Sequence, residues 1–122
     1  MESILISIKK LLGINEEYKQ FDVDIIIHIN TVLMGLTQIG VGPEEGFAIT
    51  DEYSTWEDFI GDKPYLNSVK SYMYLRVRSL FDPPLSSAAL DSMKKLADEF
   101  EWRLQVAVEN YKSTEKEEET YE

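Results

Sequence analysis

Apolar residues recur at every third or fourth position along most of this chain, a period that predicts helices. Leu66, Val69, Met73, Val77 and Leu80 fall on one side of a helical wheel, and Pro83-Pro84 ends the run after Phe81. The pattern restarts at Ser86-Ser87 and continues to about Val108, with Leu90, Met93, Ala97, Phe100, Leu104 and Ala107 on one face. Trp102, Val106 and Tyr111 form a second stripe beside it. Two long amphipathic helices joined by a stiff Asp-Pro-Pro corner are therefore expected in the C-terminal half.

The N-terminal half predicts shorter pieces around one central helix. Ile4, Leu5, Ile8, Leu11 and Leu12 give a helix over Glu2 to Leu12, and Gly13 suits a left-handed stop. Ile14–Gln20 reads as a polar loop. Asp22 is then an N-cap candidate, with Phe21 and Ile26 spaced as a hydrophobic staple. From Val23 to Ile39 the helix carries Ile25, Ile29, Val32, Leu36 and Ile39 on one face, with a polar stripe of Asp24, His28, Thr31, Gly35 and Gln38. Ile26, Ile27, Leu33 and Met34 widen its apolar zone, so it is expected to be enclosed by neighbours on several sides.

Gly40-Val-Gly-Pro43 breaks that helix, and 47–54 should be irregular or briefly extended without a hairpin partner. Ser54-x-x-Glu57 has capping-box spacing for a short helix to Ile60, anchored by Trp56, Phe59 and Ile60 and ended by Gly61. Pro64 suits the first turn of the following long helix. The expected fold class is all-α, a small helical bundle over residues 1–111. The acidic segment 112–122, KSTEKEEETYE, has no apolar period and is expected to be disordered unless a partner orders it.

The chain has 122 residues, enough for one domain with a core. It lacks cysteine, which excludes disulfides, thiol catalysis and cysteine–zinc sites. No apolar run reaches the roughly 20 residues of a membrane span. The lysines of MESILISIKK follow its apolar run, which is not signal-peptide order, so the expected site of synthesis and residence is the cytoplasm or a particle assembled there.

The net charge of −11 is unevenly distributed. Residues 1–63 hold four Lys/Arg against twelve Asp/Glu, 64–111 hold six of each, and 112–122 hold two against five. Such a chain lacks the basic footprint of a sequence-independent nucleic-acid binder.

No catalytic constellation emerges. His28 is the single histidine, and Asp24 four residues before it could present two metal ligands, short of the three or four a site needs. Asp24 also suits the positive end of its helix, which explains the pair without a metal. Glu16-Glu17, Glu44-Glu45 and Glu57-Asp58 read as solvated charge, and the Gly40 turn lacks the Lys-Ser/Thr of a phosphate-binding loop. The chain is not expected to be an enzyme or to carry a cofactor or metal. Arginine and aromatic side chains are enriched at protein interfaces, which singles out Tyr65, Tyr72, Tyr74, Arg76, Arg78, Trp102 and Val106 as candidate contacts. The charge-balanced second half could thereby meet the acidic first half of another copy.

The ordered segments IKKLLGI, FDVDIIIHIN, GVGP, TWEDFIG, VKSYMYLRVRSLFDPP and EWRL, spread over residues 1–111, resemble the head–tail connector (adaptor) proteins of tailed phages and Gram-positive prophages. That resemblance implies a virion protein at the head–tail junction. Such proteins assemble side by side as a ring beneath the portal, extend the DNA channel without binding DNA specifically, and receive a downstream head-completion or tail protein. A rival reading is an acidic DNA mimic bound to a basic host partner. That role needs carboxylates arrayed at phosphate-like spacing, whereas the acids here concentrate in loops and tail.

Overall fold

The computed structural model describes residues 2–121, with side chains described as far as Glu115. Five helices form its regular structure: α1 (Ile4–Leu11), α2 (Asp22–Gln38), α3 (Trp56–Ile60), α4 (Leu66–Phe81) and α5 (Ser87–Tyr121). Among the described residues there is no strand, only an isolated antiparallel bridge between Ser3 and Thr55. The chain is an all-α bundle, as its apolar period predicts.

α4 is the central helix, packed against α5, α2 and α1. Val69, Met73 and Val77 on α4 meet Ile25, Ile29, Leu33 and Leu36 from α2, Ile4, Leu5 and Ile8 from α1, and Ala97, Leu104 and Val108 from α5 in one buried cluster. Removing these side chains from water drives the assembly of helices too short to persist alone. α2 is less enclosed than its composition predicts. Val23, Ile27 and Met34 face solvent, because α1 and α4 cover only one side of it. Leu80, expected in the α4 stripe, is also exposed, bordering a hollow it shares with Thr31 and Val32 of α2 and Lys94 of α5.

Local chemistry explains the boundaries. Ser3 caps α1 by accepting from the Ile6 N–H. Gly13, at φ +80°, ends it as predicted. Asp22 is not the N-cap of α2: Phe21 holds that position without a side-chain cap, and Asp22 begins the helix. Its carboxylate instead lies 2.8 Å from the Lys9 ammonium. The predicted capping box slides by one residue. Thr55 Oγ1 accepts from the Asp58 N–H and Asp58 Oδ2 accepts from the Thr55 N–H, so Ser54 and Glu57 play no part in it. Trp56, Phe59 and Ile60 are buried as expected. Pro64 precedes the first α4 residue by two positions and lies in the preceding turn.

At the Asp-Pro-Pro corner, the Asp82 N–H donates to the Arg78 carbonyl before Pro83 blocks continuation. Ser86 then accepts from the Ala89 N–H and starts α5. The helical backbone continues through Lys112 to Tyr121, where the amino-acid pattern suggested disorder. Glu and Lys are good helix formers and can prolong a helix beyond the core that nucleates it. Tyr111 packs α5 on the core, edge-on to Tyr65 at 6.2 Å.

Candidate assembly surfaces

The seven candidate contact residues separate into an inward and an outward set. Tyr65 is buried against Tyr111. Tyr72 is also buried: its hydroxyl donates to Glu101 Oε1 at 3.0 Å and accepts from Arg76 Nε at 3.3 Å. Arg76 continues to Asp98, with Nη2 and Oδ1 at 2.7 Å, and its guanidinium lies 5.3 Å from the Tyr72 ring centre. These contacts tie α4 to α5. Burial raises the Tyr72 pKa, with the Glu101 bond adding to that effect and Arg76 opposing it. Burial raises Tyr65 in the same way. For Arg76, burial works to lower the pKa, but hydrogen bonds to Tyr72 and Asp98 outweigh it and leave the value raised.

Arg78 is placed differently. Its Nη1 donates to the Tyr74 hydroxyl at 2.8 Å, a bond that raises the guanidinium pKa. Its Nε is shut away from solvent with no acceptor, and among the described residues it has no carboxylate partner. Trp102 is 64% exposed and Val106, one turn further along α5, is also exposed. A large indole left in water one turn from a valine marks a surface suited to association.

Sequence reasoning overlooked two further surfaces. One is the outer stripe of α2 formed by Val23, Ile27 and Met34. The broad apolar zone of that helix conceals it, since the pattern does not reveal which side lacks a neighbour. The other is a groove between α1, α4 and α5 with a largely apolar floor. Its walls come from three separated segments, and no local pattern announces it.

The irregular segments are held by inward polar contacts. Lys9 is fully buried, and its ammonium donates to the Glu16 carbonyl at 3.0 Å and the Tyr18 carbonyl at 2.7 Å while pairing with Asp22. Asn30 grips residue 49 on both sides: Nδ2 donates to the Ile49 carbonyl at 2.9 Å, and Oδ1 accepts from the Ile49 N–H at 2.8 Å. Trp56 Nε1 donates to Ser7 Oγ at 2.8 Å, joining α3 to α1. His28 lies beside the Phe81 ring at 6.3 Å. No group of three or more His, Cys, Asp or Glu that could hold a metal occurs among the described residues. No described helix is long and apolar enough to cross a membrane.

The described residues thus form a helical bundle in which Lys9, Asn30, Tyr72 and Arg76 brace the framework from within, while apolar side chains of α2 and α5 are left exposed. Residues 4–111 match the family described as phage connector protein. The chain belongs to that family. No curated protein and no solved structure matches it.

Proposed function

We propose that this protein is a ring-forming subunit at the head–tail junction of a phage, seated beneath the portal and extending the DNA channel toward a downstream head-completion or tail protein. The observation that carries this reading is the family match over nearly the whole packed domain. The uneven charge supports it. A lining of net negative or neutral charge lets DNA slide, because it offers no cationic array to hold phosphates.

The family match covers 4–111, and the acidic helical segment that follows it, as far as Tyr121, is in this reading available to a neighbour or to the portal. Trp102 and Val106 are the contact candidates that face outward, Tyr74 lines the open groove, and half-buried Arg78 is joined to that groove only through Tyr74. Tyr65, Tyr72 and Arg76 support them from inside by fixing α5 on α4.

Native mass spectrometry of the purified protein, alone and mixed with the portal from the same genome, tests the reading. A closed ring, or portal-dependent uptake of many copies, is the expected result. A monomer that ignores the portal at every concentration sinks it, and competition with DNA for a basic host protein becomes the next assay. Arg78→Ala is a cleaner probe of subunit contact than Arg76→Ala, since Arg76 ties α4 to Asp98 of α5 whereas Arg78 bonds only Tyr74 on its own helix among the described residues.

A further inference from the structure

Two apolar surfaces lack a partner within the described subunit, and they are unlike one another. Val23, Ile27 and Met34 on α2 are 70%, 57% and 64% exposed and share one side of the helix. The other surface is the groove of about 630 Å³ between α1, α4 and α5, floored by Leu11, Leu75, Leu96 and Phe100. No residue of α2 lines this groove. The stripe and the groove are therefore built from different helices, and the C-terminal end of the stripe, at Met34, borders a second hollow shared with Phe47 and Ala48.

Their charges are complementary. α2 contains no Lys or Arg, Asp24 is exposed beside the stripe, and exposed Glu44 and Glu45 follow in the turn beyond its end. The groove is edged by Lys10 and Lys70, and Tyr74 on its wall connects it to Arg78. Lys70 is paired with Glu2, which also lines the groove, whereas Lys10 and Arg78 make no ion pair among the described residues, the Asp82 carboxylate acting on Arg78 only from a distance. Arg78 further holds its shielded Nε without an acceptor. A free hydrophobic peptide would satisfy the floor of the groove but not these cations.

We propose that the outer stripe of α2 in one copy docks into the α1–α4–α5 groove of the next. This rests on the ring reading above and adds to it the two surfaces that meet. Unlike patches meeting head to tail repeat around an axis and close a ring, whereas a patch meeting itself stops at a dimer. The acids around the stripe come to face Lys10 and Arg78, so contact strength should fall as salt rises.

The absence of cysteine makes a direct test available. Full-length Ile27→Cys and Leu96→Cys proteins are mixed, with and without the portal, and treated with a short bis-maleimide. Cross-linking between the two variants, with little self-linking of either, is expected in the assembled fraction. Ile27→Asp should lower the assembled fraction about tenfold, a change of about 1.4 kcal/mol, with its helical circular dichroism and melting curve unchanged. Rings that form normally with Ile27→Asp and give no mixed cross-link overturn the docking assignment while leaving the ring reading intact. Self-linking of Ile27→Cys alone overturns it in favour of a two-fold contact. Absence of any assembly, with or without portal, overturns both.

Discussion

The loops wrapped around α2 direct their polar groups inward, while the α4–α5 pair leaves much of its surface outward and unclaimed. In the first region, Lys9, Asn30 and Ser7 each bind a partner in another segment of the chain, and these contacts fix the 16–18 loop, the residue 49 backbone and the short helix α3. In the second, repetition of apolar residues positions the helices. The polar contacts across them, Tyr72–Glu101 and Arg76–Asp98, lie at the edge of that seam. A non-repeating chain needs specific buried partners because its backbone groups cannot satisfy each other. A helix satisfies its own backbone, so its side chains are free to face another molecule.

Breaking the inward region should cost most. Lys9→Met removes the cation from two part-buried carbonyls and from the Asp22 carboxylate, leaving all three without this partner. A loss of about 3 kcal/mol is expected, lowering the melting midpoint by about 10 °C. A melting curve within two degrees of the parent, on the order of 0.5 kcal/mol, would show that Lys9 is not a fastening point.

Glycines sharpen the contrast at single-atom level. Gly42 has φ +85°, and a Cβ there would lie 2.3 Å from Phe59 Cε1. Gly42→Ala should cost about 2 kcal/mol through strain and displacement of a core ring. Gly35 lies within α2 with nothing within 4 Å of a built Cβ, so Gly35→Ala should stabilise by about 0.5–1 kcal/mol. Equal melting shifts for the two would refute the idea that the turn, and not the helix, is the constrained part.

The edge of the α4–α5 seam should reveal itself in alkali. The folded-state pKa of Tyr72 is raised above its ordinary value of 10.0, chiefly by burial. Above pH 10 the unfolded chain sheds this proton more readily, so the contribution is intact below pH 10 and is lost as pH rises through the folded pKa. Tyr72→Phe should cost about 1 kcal/mol at neutral pH and flatten the alkaline fall in stability. Tyr65, shifted the same way, leaves part of that fall in place. Denaturant titrations from pH 8 to 11 measure both effects.

Trp102→Ala should have the smallest effect on folding, within about 0.5 kcal/mol, because its indole is mostly in water. If Trp102 contributes to assembly, the same variant weakens ring or portal binding measured by native mass spectrometry. A large drop in monomer stability would instead assign the indole to packing within the subunit.

Much of the bundle is legible in sequence because helix period, glycine stops and proline corners act over a few residues. The α4–α5 pair, its Asp-Pro-Pro corner, the Gly13 stop and the three buried anchors of α3 follow from such local rules. Local rules also err by one residue where two solutions compete, as when Thr55 and Asp58 form the capping box in place of Ser54 and Glu57. Asp22 was read as a cap because its ion-pair partner, Lys9, is in another helix.

The candidate surfaces are the less legible part. Arg76 and Arg78 look alike in RVR, yet one finds Asp98 across the α4–α5 seam and the other finds only a tyrosine hydroxyl and an enclosed edge. The α2 run IIIHIN shows that several residues could be buried, but only packing decides that Ile25 and Ile29 are inside and Ile27 outside. Local sequence thus determined helix type, helix ends and the connector resemblance, since these depend on near neighbours and on residue order. Tertiary structure alone decided which apolar face is left exposed and which of the two arginines makes an ion pair among the described residues, since both depend on where distant segments pack.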